Sequence, residues 1–151
     1  MITKKRARTA ALTLAAVAAL TFAGAGAGAA QAAPAIPLNG GQEVPTPNDF
    51  GARGTFSYEI DDDLNRFCYT LDVTGLSAPA TAAHVHVAPR NTAGPVVIPL
   101  GVPSATDFSV SGCTIVADEA LLDAIAANPS AYYVNVHNAN NQPGEIRGQL
   151  K

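Results

Sequence analysis

Hydrophobic and polar residues alternate along most of this chain after its first third, and the period is two rather than 3.6. Aromatic and aliphatic side chains occupy every second position in residues 55–60 and again in residues 67–73. Such alternation is typical of strands that bury one face. Similar strand-like runs occur at 82–87, 96–100, 108–116, 132–137 and 145–150, with proline and glycine residues between them.

Two segments interrupt the alternation. The polar residues 61–65 predict a hairpin loop. They also imitate the start of a calcium-binding loop, but Arg66 stands where such a loop needs glycine. Residues 118–127 place leucine and isoleucine side chains on one helical face, which predicts a short helix that ends before Pro129. Many short strands with one short connecting helix predict an all-β fold, either a Greek-key β-sandwich or a partly open barrel.

The first 32 residues differ in composition from the rest. Four basic residues between Lys4 and Arg8 precede an apolar run at 10–22, and a tract of small residues ends at Ala32. This is the layout of a secretory signal peptide, here with cleavage after Ala32. The apolar run is short for a transmembrane helix. We therefore expect a secreted protein, extracellular or associated with the cell surface, with one domain over residues 33–151 and no membrane span after cleavage.

The net charge of the mature chain disfavours anionic binding partners. The sequence has nine basic and twelve acidic residues, and four of the basic ones lie in the leader. The mature chain then carries a net charge of 5 − 12 = −7. Nucleic acids and anionic lipid surfaces attract basic patches, so neither is an expected partner.

The chain has two cysteines, Cys68 and Cys113, and both follow the leader. An oxidising compartment favours a disulfide between them. Two unpaired structural thiols are the alternative. A redox-active pair is disfavoured because the cysteines are distant in sequence and no C-x-x-C motif is present.

Several separate motifs carry a family resemblance. They are LNGGQEVP at 38–45, AHVH at 83–86, GPVV at 94–97, YYVNVH at 132–137 and GEIRGQL at 144–150. In this order they resemble the CHRD domain, a module named after its repeats in chordin and found singly in secreted bacterial proteins. The resemblance implies a secreted β-sandwich with an immunoglobulin-like shape. It supplies no established enzymatic reaction.

The chain's three histidines fall in two of the predicted strands. Residues two apart in a strand project from the same face, so His84 and His86 point together. If the two strands are neighbours, His137 converges on them. The same surface would carry a polar network of Asn135, Glu145 and Arg147.

Three imidazoles on rigid strands can bind one copper or zinc ion. The alternative is a hydrogen-bonded network without metal. A His-Val-His strand with one disulfide is also similar to the copper/zinc superoxide dismutases. Those enzymes use more histidines than this chain has, so their dinuclear site cannot be built here.

No catalytic motif accompanies these residues: the sequence lacks a Gly-x-Ser-x-Gly elbow, and its mature part lacks a phosphate-binding glycine loop. We therefore expect a non-catalytic extracellular binding module, whose partner the sequence does not identify. The alternative is a small copper- or zinc-binding protein, with or without redox activity.

Overall fold

The computed structural model describes residues 35–48 and 50–151, and the expected leader at 1–32 lies outside them. The described chain forms eight antiparallel strands in one sheet. The strands are β1 (Ile36–Asn39), β2 (Arg53–Asp61), β3 (Arg66–Thr74), β4 (Ala80–Val87), β5 (Val96–Leu100), β6 (Phe108–Ile115), β7 (Tyr132–Asn138) and β8 (Ile146–Gln149). One α-helix among the described residues, α1 (Glu119–Ala127), connects β6 to β7.

The order of the strands is β5-β4-β7-β8-β1-β2-β3-β6, so strands distant in sequence are paired. The two outer strands, β5 and β6, approach each other, and the Thr114 hydroxyl of β6 donates to the Pro99 carbonyl of β5 at 2.9 Å. The sheet is thus a nearly closed barrel. The predicted all-β fold is confirmed.

The apolar face of the sheet fills the barrel. Phe67 and Leu71 of β3, and Val134 and Val136 of β7, are fully buried there. The helix α1 contributes Leu122 and Ile125 to the same core. Strand alternation and helical spacing therefore reflect one hydrophobic interior, as the sequence pattern predicts.

The hairpin predicted at 61–65 joins β2 to β3. Its turn spans Asp62–Leu64, and Asn65 takes the left-handed conformation with φ 50°. The Asp61 carboxylate accepts from the Leu64 N–H at 3.1 Å and pairs with the Arg66 guanidinium. That carboxylate stabilises the turn, which confirms the hairpin prediction.

Strand β1 was not predicted from the sequence pattern. It has only four residues and includes Pro37, which is uncommon inside a sheet. It lies between β2 and β8, with Ile36 opposite Phe56 and Asn39 opposite Arg147. The chain after β1 makes a 3₁₀ turn at Gly40–Gln42, which brings Glu43 towards the face of the sheet described below.

Cys68 of β3 and Cys113 of β6 form a disulfide between directly opposed residues. The favoured pairing is therefore present. Among the described residues, no helix is long and apolar enough to cross a membrane.

Candidate metal centre

Strands β4 and β7 are hydrogen-bonded neighbours, and their register places the histidines together. His84 pairs with Asn135, His86 with Tyr133, and Ala82 with His137. Alternation puts Val85 of β4 into the core, so the two histidines beside it project from the opposite face. All three histidines therefore lie on one surface of two adjacent strands.

The three rings make a compact cluster. His84 Nδ1 lies 3.0 Å from His137 Nε2. Each histidine offers one nitrogen such that all three nitrogens lie within 4.8 Å of one another. His86 is buried, with 6% of its surface exposed, while His84 and His137 are partly buried.

Backbone carbonyls orient two of the rings. His86 Nδ1 lies 2.8 Å from the Gly94 carbonyl, and His137 Nδ1 lies 2.8 Å from the Gln142 carbonyl. A carbonyl oxygen only accepts, so each Nδ1 donates its proton and each neutral ring keeps a lone pair on Nε2. The His86 Nε2 atom is buried without a hydrogen-bond partner.

The histidines are neutral near pH 7. Burial, followed by the neighbouring rings of His137 and His86, lowers the pKa of His84 to about 4. Burial also lowers the pKa of His86 and of His137, although the carbonyls that they contact oppose the change. Neutral imidazole is the form that binds metal.

A loop at residues 88–95, between β4 and β5, covers this surface. Arg147 of β8 donates to the carbonyls of Thr92 at 2.9 Å and Pro89 at 3.0 Å. Only glycine fits at Gly94, because a Cβ there would collide with the Val87 carbonyl. This close approach brings the Gly94 carbonyl to His86 and its N–H to the Tyr133 hydroxyl, at 3.3 Å.

The loop at residues 88–95 buries polar residues that the sequence pattern places on an exposed face. Alternation placed Asn135 and Arg147 on the outward face, but they are 0% and 1% exposed. The Tyr133 ring stacks on the His86 ring with centroids 4.7 Å apart, and the Arg147 guanidinium lies 3.3 Å from the Tyr133 centroid. The polar face of β4, β7 and β8 is therefore a second buried layer.

Glu43 belongs to this layer and was missed at the sequence level. It is 4% exposed, and its Oε1 has no hydrogen-bond partner. Burial raises the pKa of the Glu43 carboxyl to about 7, while the nearby Arg147 charge, the Val44 N–H and the Asn135 side chain oppose this rise. Gly144, with φ 137°, permits the packing because a Cβ there would collide with Glu43 and Asn135.

Glu145 lies in a different network. Its carboxylate accepts from the Ser77 N–H at 2.8 Å, from the Ser77 hydroxyl at 3.0 Å and from the Asn138 amide. These bonds fasten the loop before β4 to the turn between β7 and β8. Three polar residues were expected beside the histidines. Asn135 lies next to them, and Arg147 holds the loop at residues 88–95 that covers them. Glu145 instead binds Ser77 and Asn138, away from the histidines.

The ionisation of Glu43 makes a testable difference to stability. Its pKa is about 7 in the fold against an ordinary 4.5, so the folded protein binds the extra proton between these values. Uptake of this proton stabilises the folded state, and the contribution is complete below pH 4.5 and is lost as the pH rises through 7. Glu43→Gln mimics the neutral acid. We expect its unfolding free energy relative to wild type to rise by about 3 kcal/mol between pH 4.5 and pH 8.5.

Urea unfolding of both metal-free proteins at the two pH values measures this difference. Glu59→Gln, an exposed change on β2, is the control and should show no comparable trend. An equal stability difference at both pH values in Glu43→Gln would contradict the buried neutral carboxyl.

The chain belongs to the CHRD domain family. The family model matches residues 35–150, which covers all eight strands and every residue of the histidine cluster. Comparison with curated proteins and with solved structures found no match.

Proposed function

We propose that this CHRD-domain protein binds one copper or zinc ion through His84, His86 and His137. One observation carries the proposal: the His86 Nε2 lone pair is buried without a partner, in a cluster of three imidazoles. An unpaired buried acceptor is destabilising unless a donor or a cation satisfies it.

The hydrogen bonds around the cluster match those of metal-bound histidines. Such histidines commonly donate their second ring N–H to a carbonyl or a carboxylate, which fixes the tautomer. His86 and His137 already do so, through Gly94 and Gln142. His84 Nδ1 becomes a third ligand once its proton moves to Nε2.

The spacing suits a small first-row ion. Nitrogens about 2.0–2.1 Å from a tetrahedral zinc ion lie roughly 3.4 Å apart. The nitrogens of the cluster are separated by 3.0 Å to at most 4.8 Å. Side-chain rotations that move the ring nitrogens by about 1 Å would bring them to the spacing of a zinc site. Imidazole ligands favour zinc and copper over calcium and magnesium, which prefer oxygen.

Export and action by binding rather than catalysis are part of the proposal. The basic, apolar and small-residue segments of residues 1–32 support export. The buried lone pair favours an ion as the ligand over an unidentified extracellular partner, because it calls for a small cation.

Metal titration tests the proposal. The protein, purified without a histidine tag and stripped with chelator, should bind one equivalent of Zn²⁺ or Cu²⁺ with a Kd below about 1 μM. A variant with all three histidines changed to glutamine retains no imidazole and is the control, with its fold checked by circular dichroism. Absence of saturable binding to the wild type, or unchanged binding to the folded triple variant, would contradict the proposal.

A further inference from the structure

Besides Glu43 Oε1, the buried layer holds a second oxygen without a hydrogen-bond partner, the amide oxygen of Asn135. We infer that Asn135 Oδ1 is the fourth ligand of the metal ion and closes the site as a three-nitrogen, one-oxygen centre. This inference rests on the proposed function and specifies its coordination.

The register of β4 and β7 places Asn135 beside the histidines. Asn135 is the register partner of His84 on the adjacent strand and precedes His137 by two residues. Directly opposed residues in an antiparallel pair have Cβ atoms about 4.5–5.5 Å apart. Asn135 is therefore next to two of the histidines on the same face of the sheet.

The contacts of the Asn135 amide fix its orientation. Its Nδ2 donates to the Pro143 carbonyl at 3.2 Å. The same Nδ2 lies beside the Glu43 carboxylate, because a Cβ added at Gly144 would meet both groups. Both acceptors require the NH₂ group on their side, so the oxygen must occupy the other position.

The Asn135 oxygen is enclosed by the protein. Oδ1 is buried and has no hydrogen-bond partner, and Asn135 is 0% exposed. The Asn135 side chain is a hydrogen-bonding neighbour of the His86 ring. Because Nδ2 donates to the Pro143 carbonyl, the oxygen is the atom of the amide left to face that ring.

These two atoms cannot satisfy each other in the neutral state. His86 donates from Nδ1 to Gly94, so its Nε2 carries a lone pair, as does Asn135 Oδ1. A cation between them satisfies both. The resulting four-coordinate ion would have no open position for a substrate, as in closed structural zinc sites, which fits binding rather than catalysis.

Cobalt substitution tests the coordination. The wild-type protein loaded with Co²⁺ should show the intense visible absorption of a four-coordinate ion, unchanged by azide. Asn135→Ala opens one position, so azide should shift its spectrum, and its Zn²⁺ affinity should fall at least tenfold. Asn135→Asp keeps an oxygen ligand and should restore resistance to azide.

Asn138→Ala is the matched control, because Asn138 is also a buried asparagine of β7 but contacts Ser77 and Glu145. Its spectrum should match the wild type. A wild-type spectrum that shifts with azide would overturn the inference, whether or not Asn135→Ala folds, as would an unchanged spectrum in folded Asn135→Ala. Failure of the wild type to bind any Co²⁺ or Zn²⁺ would instead overturn the proposed function itself.

Discussion

Replacing His86 by alanine is expected to lower the affinity for zinc or copper by a factor of about a hundred or more. A structural zinc site contributes about 10–16 kcal/mol, so one ligand of four accounts for about 3 kcal/mol. His86 is the buried member of the cluster, and its Nε2 is already free. Competition with a chromophoric chelator measures the affinity of the folded variant.

The control for His86→Ala must disturb the cover without removing a ligand. Tyr133→Phe does so, because it keeps the ring stacked on His86 and removes the hydroxyl that accepts from the Gly94 N–H. We expect its metal affinity to stay within about tenfold of wild type. Wild-type affinity in His86→Ala, or an equal loss in both variants, would contradict the assigned ligand.

Removing the disulfide is expected to lower the unfolding free energy by about 4 kcal/mol. The crosslink joins residues 45 apart in sequence, and the chain-entropy relation gives about this value for a loop of that length. The variant with Cys68→Ala and Cys113→Ala, compared with the oxidised wild type by urea unfolding, measures the loss. Reduced wild type should lose the same amount.

The disulfide variant also separates stability from metal binding. The cysteines lie on β3 and β6, whereas the histidines lie on β4 and β7. Metal affinity of the folded double variant should therefore match the wild type. A loss below about 1 kcal/mol in unfolding free energy would contradict the expected role of the crosslink.

The strands and the helix were predictable because their burial is one-sided and local. A period of two assigns the faces of β2 and β3, and the spacing of Leu122 and Ile125 reveals α1. Strand β1 was not predicted, because a segment of four residues with an internal proline shows no clear alternation. Its omission also hid Glu43, which follows it.

The candidate site was predictable only in part, for physical reasons. The alternation of strand residues places His84 and His86 on one face. Their neighbour His137 is about fifty residues away in sequence, and the pairing of β4 with β7 depends on the whole topology. Alternation also predicts which face a residue occupies, not whether a loop covers that face. The burial of Asn135 and Arg147 under residues 88–95 is therefore invisible in the sequence.

X-ray absorption at the metal edge of the zinc- or copper-loaded wild-type protein is the most direct test of the three-histidine site. We expect a first shell of nitrogen and oxygen at about 2.0–2.1 Å for zinc, with outer-shell scattering from three imidazoles and no sulfur. A shell with one imidazole or none, or with sulfur, would show that His84, His86 and His137 do not form the metal site.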